Sequence, residues 1–312
     1  YNELLRQSFI DIGQLEHPVI KDEYWDGKKR RLVDRAISTG HFNKQVRRIF
    51  YRGSWDLGGR YHGGFWQQIA GEMRKNILIN DFRTVELDFS GLHINVAYAL
   101  EGASLKLQDP YEVPLLVSNN KDEQRKWVKS LALMAFNAAE EKKAFQAFRS
   151  AQPKGSLGKR FTDNQLEQLL TAFKKKHAPI KKYLCSDKGV EFMNIDGRIA
   201  AKVINYFTDK QEPILCVHDS FICREQFKDE LTDVMNKAVQ EELQDYQIRI
   251  DPNKEVTDLQ NRINKGVLNV TSMKDLYRDR PVDTRRTEGY LLRWNEHRYW
   301  LHMMENPIYV KI

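Results

Sequence analysis

The sequence predicts an α+β protein, and three observations carry that prediction. Short apolar runs of strand length, at 77–79, 82–88 and 213–223, are separated by long stretches with helical apolar spacing. Two of these strands carry a carboxylate in otherwise apolar surroundings. Asp88 stands in Thr84-Val85-Glu86-Leu87-Asp88-Phe89-Ser90, and Asp219 in Pro213-Ile214-Leu215-Cys216-Val217-His218-Asp219-Ser220-Phe221-Ile222-Cys223. The 312 residues, 41% hydrophobic and 30% charged, suffice for one large domain or two to three subdomains around a shared core.

The elements follow in order. Residues 1–50 read as helical and basic, with Arg30, Arg31, Arg35, Lys44, Arg47 and Arg48 among spaced apolar positions. The glycine-rich stretch from Gly58 to Gly64 reads as a turn; without a following Gly-Lys-Ser/Thr it is no phosphate-cradling Walker loop. An extended segment at 77–79, a turn at Asn80-Asp81 and a strand ending at Asp88 come next. Leu92 to Leu100 has helical spacing and stops at Gly102. Asn119 or Asn120 caps a long helix that runs to about Phe148, with Asp122 and Glu123 complementing its N-terminal dipole. A basic loop spans 151–160, a helix spans 163–176 before Pro179, and a buried helix at 191–207 feeds the strand pair joined at His218-Asp219. A helix over 226–246 follows. The mixed C-terminal stretch interleaves Arg278, Arg280, Arg285, Arg286, Arg293 and Arg298 with Tyr290, Trp294, Tyr299 and Trp300. That pattern reads equally as a phosphate- and base-gripping surface or as a packed-down terminus formed by Tyr290, Leu291, Leu292 and Trp294.

Bulk properties exclude some classes. No apolar stretch approaches a membrane span of roughly 18 residues, and no secretory signal is recognisable. Cys185, Cys216 and Cys223 lack metal-site spacing and read as reduced core residues, which predicts a cytoplasmic protein. The net charge of +7 is compatible with a phosphate-bearing partner. A first residue of Tyr1 rather than Met suggests a trimmed chain or a piece of a longer one. There is no internal repeat.

The chemistry lies in the acids and one cationic stripe. A buried carboxylate is costly unless a cation or hydrogen bond stabilises it. Two acids at the ends of two strands are the minimum that holds a pair of divalent cations for phosphoryl transfer. On the long helix Arg125 and Lys129 are spaced i, i+4, and Leu133 and Asn137 continue the row. Taken alone the stripe reads first as a solvated basic face, and second as a clamp for a triphosphate. His62, His93, His177 and His218 lack the spacing of a zinc site, and Ser220 beside His218 lacks the nucleophile elbow.

Acid on a strand, cationic helix, acid on a strand hairpin: in this order the chain resembles the family A (Pol I-like) nucleic-acid polymerases and their single-subunit RNA polymerase relatives. Asp88-Phe89-Ser90-Gly91-Leu92-His93 is similar to the family's motif A, Arg125 with Lys129 and Asn137 to the motif B helix, and His218-Asp219-Ser220 to motif C. Gly59-Arg60 with Gln67-Gln68 and Arg74 resembles a segment that contacts the primer–template minor groove. Asn194-Ile195-Asp196-Gly197 resembles the helix before motif C. The resemblance covers residues 58–245.

It implies a right-hand polymerase with an antiparallel palm sheet, helical fingers and a reduced thumb. The expected division is a helical, thumb-like remnant at 1–57, a first palm part with motif A at 58–118 and fingers with motif B at 119–190. A second palm part with motif C spans 191–250, and a basic and aromatic extension spans 251–312. It further implies that Asp88, Asp219 and the backbone carbonyl of Phe89 bind two Mg²⁺ ions, with Mn²⁺ as the alternative ion. Lys129 and Arg125 would contact the triphosphate, and His93, Leu133 and Asn137 the nascent base pair and sugar. Arg60, Gln67, Gln68, Arg74, Asn194, Asp196 and His218 would contact nucleic acid. The expected partners are a DNA primer–template and dNTPs, with a protein partner supplying the missing thumb or a primer, in replication, repair, a phage or a mobile element. Four positions depart from the family's DNA polymerases: His93 replaces a sugar-gating Glu, Asn137 an aromatic residue, Ala138 the Gly after it, and Ser220 the Glu of motif C. They keep open a primase or RNA polymerase-like enzyme that incorporates rNTPs. A catalytically inactive nucleic-acid-binding accessory protein and a two-metal nuclease, with Glu86 and Asp196 as extra acids, are the readings from other classes.

Overall fold

The computed structural model describes residues 1–26, 31–105, 109–252 and 286–305. It begins with helix α1 (Asn2–Gln7), strand β1 (Ile10–Ile12), and two antiparallel hairpins, β2 (Val19–Asp26) with β3 (Arg31–Ser38) and β4 (Val46–Tyr51) with β5 (Ser54–Gly63). A short helix α2 (Gly71–Arg74) leads to β6 (Ile77–Ile79), β7 (Phe82–Phe89) and α3 (Leu92–Leu100). Then come α4 (Lys121–Asn137), α5 (Glu141–Ala151), α6 (Asp163–Lys176) and α7 (Gly189–Asp209). The last elements are β8 (Leu215–Val217), β9 (Ser220–Arg224), α8 (Lys228–Glu242), β10 (Ile250–Pro252) and α9 (Glu288–Glu305). The α+β expectation therefore holds.

One antiparallel sheet organises the site. Its order is β1-β6-β7-β9-β8, and β10 also pairs with β7. Strand β9 covers one edge of β7 from Thr84 to Asp88, while β10 lies along Leu87 to Phe89 on the other. The large core joins β7 and β9 to α3 through α8, with Phe89, Phe136, Phe192, Phe207 and Phe221 among its fully buried rings. A second cluster, around Trp66, Ile10, Ile77 and Leu215, lies under the N-terminal region. Helix α7 packs closely on β5. A Cβ at Gly197 would meet the Gly59 carbonyl at 2.3 Å, so only glycine fits there.

Three sequence expectations are corrected. Within the stretch 1–50 read as helical, Val19–Asp26, Arg31–Ser38 and Val46–Tyr51 are antiparallel strands. Ile20 and Ile37, both buried, face each other across β2–β3, and Arg52-Gly53, at φ +55° and +66°, makes the left-handed two-residue turn that suits a twisted hairpin. Gly58 to Gly63 accordingly belongs to a strand instead of a turn. The long helix ends at Asn137 and not near Phe148. The amides of Cys185 and Asp187 take the carbonyls of Ala135 (2.6 Å) and Ala138 (3.0 Å), and Ala138 is already extended. Its start is as expected, with the Asn120 side chain accepting from the Glu123 amide at 3.1 Å.

At the C-terminal end Tyr290 is fully buried and Trp294 packs on Phe9 at 4.9 Å between ring centres, whereas Leu291 and Leu292 are exposed. Arg286 pairs with Asp81 and Arg293 with Asp11. Arg30, Arg278, Arg280 and Arg285 lie outside the described residues. Among those described, no helix is long and apolar enough to cross a membrane.

Candidate active site

Strand pairing brings the two acids together. Asp88 is in register with Ser220, and the Phe89 amide donates to the Asp219 carbonyl at 3.3 Å. The β8–β9 connection is only His218-Asp219, with His218 left-handed at φ +58°, so Asp219 is held at the tip beside the end of β7. Asp88 is open to solvent and Asp219 half-buried. Neither carboxylate has an ion pair or a side-chain hydrogen bond among the described residues.

Desolvation, then the charge of Asp219, pushes the Asp88 carboxyl up to about 8 against the pull of Lys129. Asp219 is raised too, first by burial, with Arg60 and Lys129 opposing.

Nearby acids are treated differently. Arg74 donates from Nε and Nη2 to the two Glu86 oxygens at 3.0 and 2.9 Å, and the Ser220 hydroxyl donates to Glu86 at 2.8 Å. Asp196, buried on α7, pairs with Arg60, yet burial still lifts its carboxyl to about 7. The same guanidinium contacts His93 Nε2 at 2.9 Å. His93 is buried between Phe136 and Phe192, and burial followed by Arg60 lowers it to about 3, so its ring is neutral. With Nε2 accepting from Arg60, the proton sits on Nδ1, which has no partner. His218 stacks edge-on against His62 at 5.4 Å and is lowered to about 4 by burial, then Arg60.

The cationic stripe faces the acids. Lys129 is exposed, has no ion pair or hydrogen bond among the described residues, and acts electrostatically on both Asp88 and Asp219. Arg125 pairs with Asp109, and both Arg125 and Lys129 lie 5.7 Å from the ring centre of Tyr111. Leu133 is exposed, and Asn137 folds back to donate to the Leu133 carbonyl at 2.8 Å.

The remaining predicted residues are mostly braces. Gln67 donates to the carbonyls of Cys216 (2.8 Å) and Tyr61 (3.1 Å), tying β5 to β8. Gln68 is exposed, and its carbonyl accepts from Arg35 at 2.7 Å. Asn194 is buried and donates to the Trp55 carbonyl at 2.7 Å, and Phe89 is buried.

Two neighbours escaped the sequence reading. Tyr111 lies beneath both cations, and its hydroxyl is raised to about 12 by burial, then by Asp219. Asp251 is the direct cross-strand partner of Asp88 and pairs with Arg249 at 2.8 Å. No local signal marks either one. Both reach the site through contacts distant in sequence. Among the described residues no three His, Cys, Asp or Glu side chains converge as a metal-binding group.

No family model matches the chain, and neither does any curated protein. Among solved structures, the POL domain of Pol1 from M. smegmatis, in complex with DNA primer–template and dNTP, matches with a TM-score of 0.42 at 11% identity. The match covers 64% of this chain and 45% of that one, so this chain spans less than half the length of that structure's chain.

Proposed function

We propose that the chain is a template-directed nucleotidyltransferase, and that its activity is that of a DNA-dependent DNA polymerase. The carrying observation is the pair Asp88 and Asp219, side by side at the end of β7 with no ion pair or side-chain hydrogen bond among the described residues, and within electrostatic reach of the exposed Lys129. In the hand-like layout this reading implies, the antiparallel sheet is the palm and α4–α6 the fingers.

The donor set fits Mg²⁺. Two adjacent carboxylates, both raised by burial and Asp88 further by the charge of Asp219, are neutralised well by a hard divalent cation, which prefers oxygen ligands and keeps several waters. Asp88 and Asp219 would hold it, with the Phe89 carbonyl as a further oxygen. When bound, the metal supplies charge neutralisation for the attacking hydroxyl and the leaving pyrophosphate. The chain's own groups do the rest. Lys129 stabilises negative charge on the triphosphate and can give a proton to the leaving group. Arg125, on the same helix face, grips further phosphate oxygens in a fork once it exchanges Asp109 for them. Tyr111 holds both cations over its ring.

Use of rNTPs is the second reading. His93 is buried and neutral, and the Ser220 hydroxyl is engaged by Glu86, so neither presents an acid to a ribose 2′-hydroxyl.

Primer extension on a DNA template with Mg²⁺ and either dNTPs or rNTPs tests the proposal. Asp88→Asn or Asp219→Asn should slow extension on the order of 1,000-fold or more, with nearly unchanged primer–template affinity. Lys129→Ala should lower turnover more than affinity. Wild-type rates in either aspartate variant would overturn the assignment.

A further inference from the structure

The β4–β5 hairpin carries a side chain that the active-site reading does not use. Trp55 is 78% exposed, the most exposed large apolar residue among those described. A tryptophan is usually well buried, because its large ring is costly to leave in water.

This ring is open yet firmly mounted. Asn194 on α7 donates to the Trp55 carbonyl at 2.7 Å, and Arg52, in the adjoining turn, pairs with Asp187 just ahead of α7 at 2.7 Å. Phe50 braces the indole edge-on, 4.6 Å between ring centres at 76°, and Arg48 lies 4.9 Å over the Phe50 ring. The hairpin's charge is one-sided: Arg47, Arg48, Arg52 and Arg60 stand against the single acid Asp56.

We propose that Trp55 is a stacking platform for an unpaired base of single-stranded nucleic acid. The flat exposed ring offers a π-face that any base can use, and Arg47 and Arg48 of the same hairpin, which have no ion pair among the described residues, suit the phosphate backbone. A rigid mount reduces the ordering that binding would otherwise require. Helix α7 anchors Trp55 through Asn194 and Arg60 through Asp196, so the platform sits in a fixed relation to Asp219. The inference rests on the proposed polymerase reading, in which the strand still to be copied is the single strand at hand.

The test is fluorescence anisotropy with a labelled oligothymidylate and with a blunt duplex of matched charge. Trp55→Ala should weaken oligothymidylate binding about 10-fold, within the roughly 5- to 150-fold range of stacking on one base, while duplex binding stays constant. Trp55→Phe should recover most of the affinity, and the oligonucleotide should quench tryptophan emission less in that variant than in wild type. Unchanged oligothymidylate affinity in Trp55→Ala would overturn the proposal. An equal loss on blunt duplex would overturn it too, marking a groove contact or a different partner for the ring. The two readings separate cleanly. If the wild-type chain extends no primer with either dNTPs or rNTPs while Trp55→Ala loses the oligonucleotide, the polymerase assignment falls and the platform stands. The reverse pattern removes the platform alone.

Discussion

Two pairs of acids crowd the same end of the sheet and meet opposite fates. Glu86 and Asp196 each have a dedicated arginine, Arg74 and Arg60, and Glu86 also takes a hydroxyl from Ser220. Asp88 and Asp219 have none among the described residues, although Asp88 lies only two residues from Glu86 on the same face of β7. Arginine was therefore within the fold's means at this position and was not used there. The difference separates acids that fix the frame from acids that, in the proposed reading, await an outside cation. It also accounts for His93 and His218, which stay neutral because Arg60 and burial hold them so.

The comparison breaks if removing a held acid's arginine leaves stability untouched. Arg60→Ala strands the buried Asp196 and should cost about 3–5 kcal/mol in urea unfolding. Arg74→Ala leaves Glu86 with Ser220 alone and should cost less, about 1–3 kcal/mol. In the same assay Lys129→Ala should leave stability nearly unchanged, since Lys129 holds nothing together.

A smaller effect sharpens the other side. The native carboxyl of Asp88 titrates at about 8, well above the usual carboxylate value of 3.8. A raised acid contributes stability that is fully present below its unfolded value and is lost as pH rises through the folded one. Without metal, the melting temperature should therefore fall between those two values and level off above pH 8. Mg²⁺ competes with that proton, so its stabilising effect should be larger at about pH 9 than at about pH 6. A pH-independent Mg²⁺ effect would place the ion elsewhere.

How much of this was legible in the sequence depended on distance along the chain. The strand ending at Asp88, the turn at His218-Asp219 and the Asn120 cap rest on local alternation and side-chain-to-backbone bonds, and each lies where the sequence puts it. The part of 1–50 that forms β2, β3 and β4 misled because its sparse apolar positions fit both periods, and only the pairing of Ile20 with Ile37 and the left-handed Arg52-Gly53 turn decide for strands. The helix end at Asn137 was hidden because amides from Cys185 and Asp187 set it. Tyr111 and Asp251 were invisible for the same reason: the packing of Tyr111 under α4 and the register of β10 on β7 are long-range facts with no mark in their own neighbourhoods.

The most direct measurement is Mn²⁺ binding followed by electron paramagnetic resonance above pH 8, without nucleotide. Asp88→Asn and Asp219→Asn should each lose the tight ion, while Glu86→Gln, if folded, should keep it. Equal Mn²⁺ affinity in wild type and both aspartate variants would contradict the claim that the two unpartnered acids form the cation site.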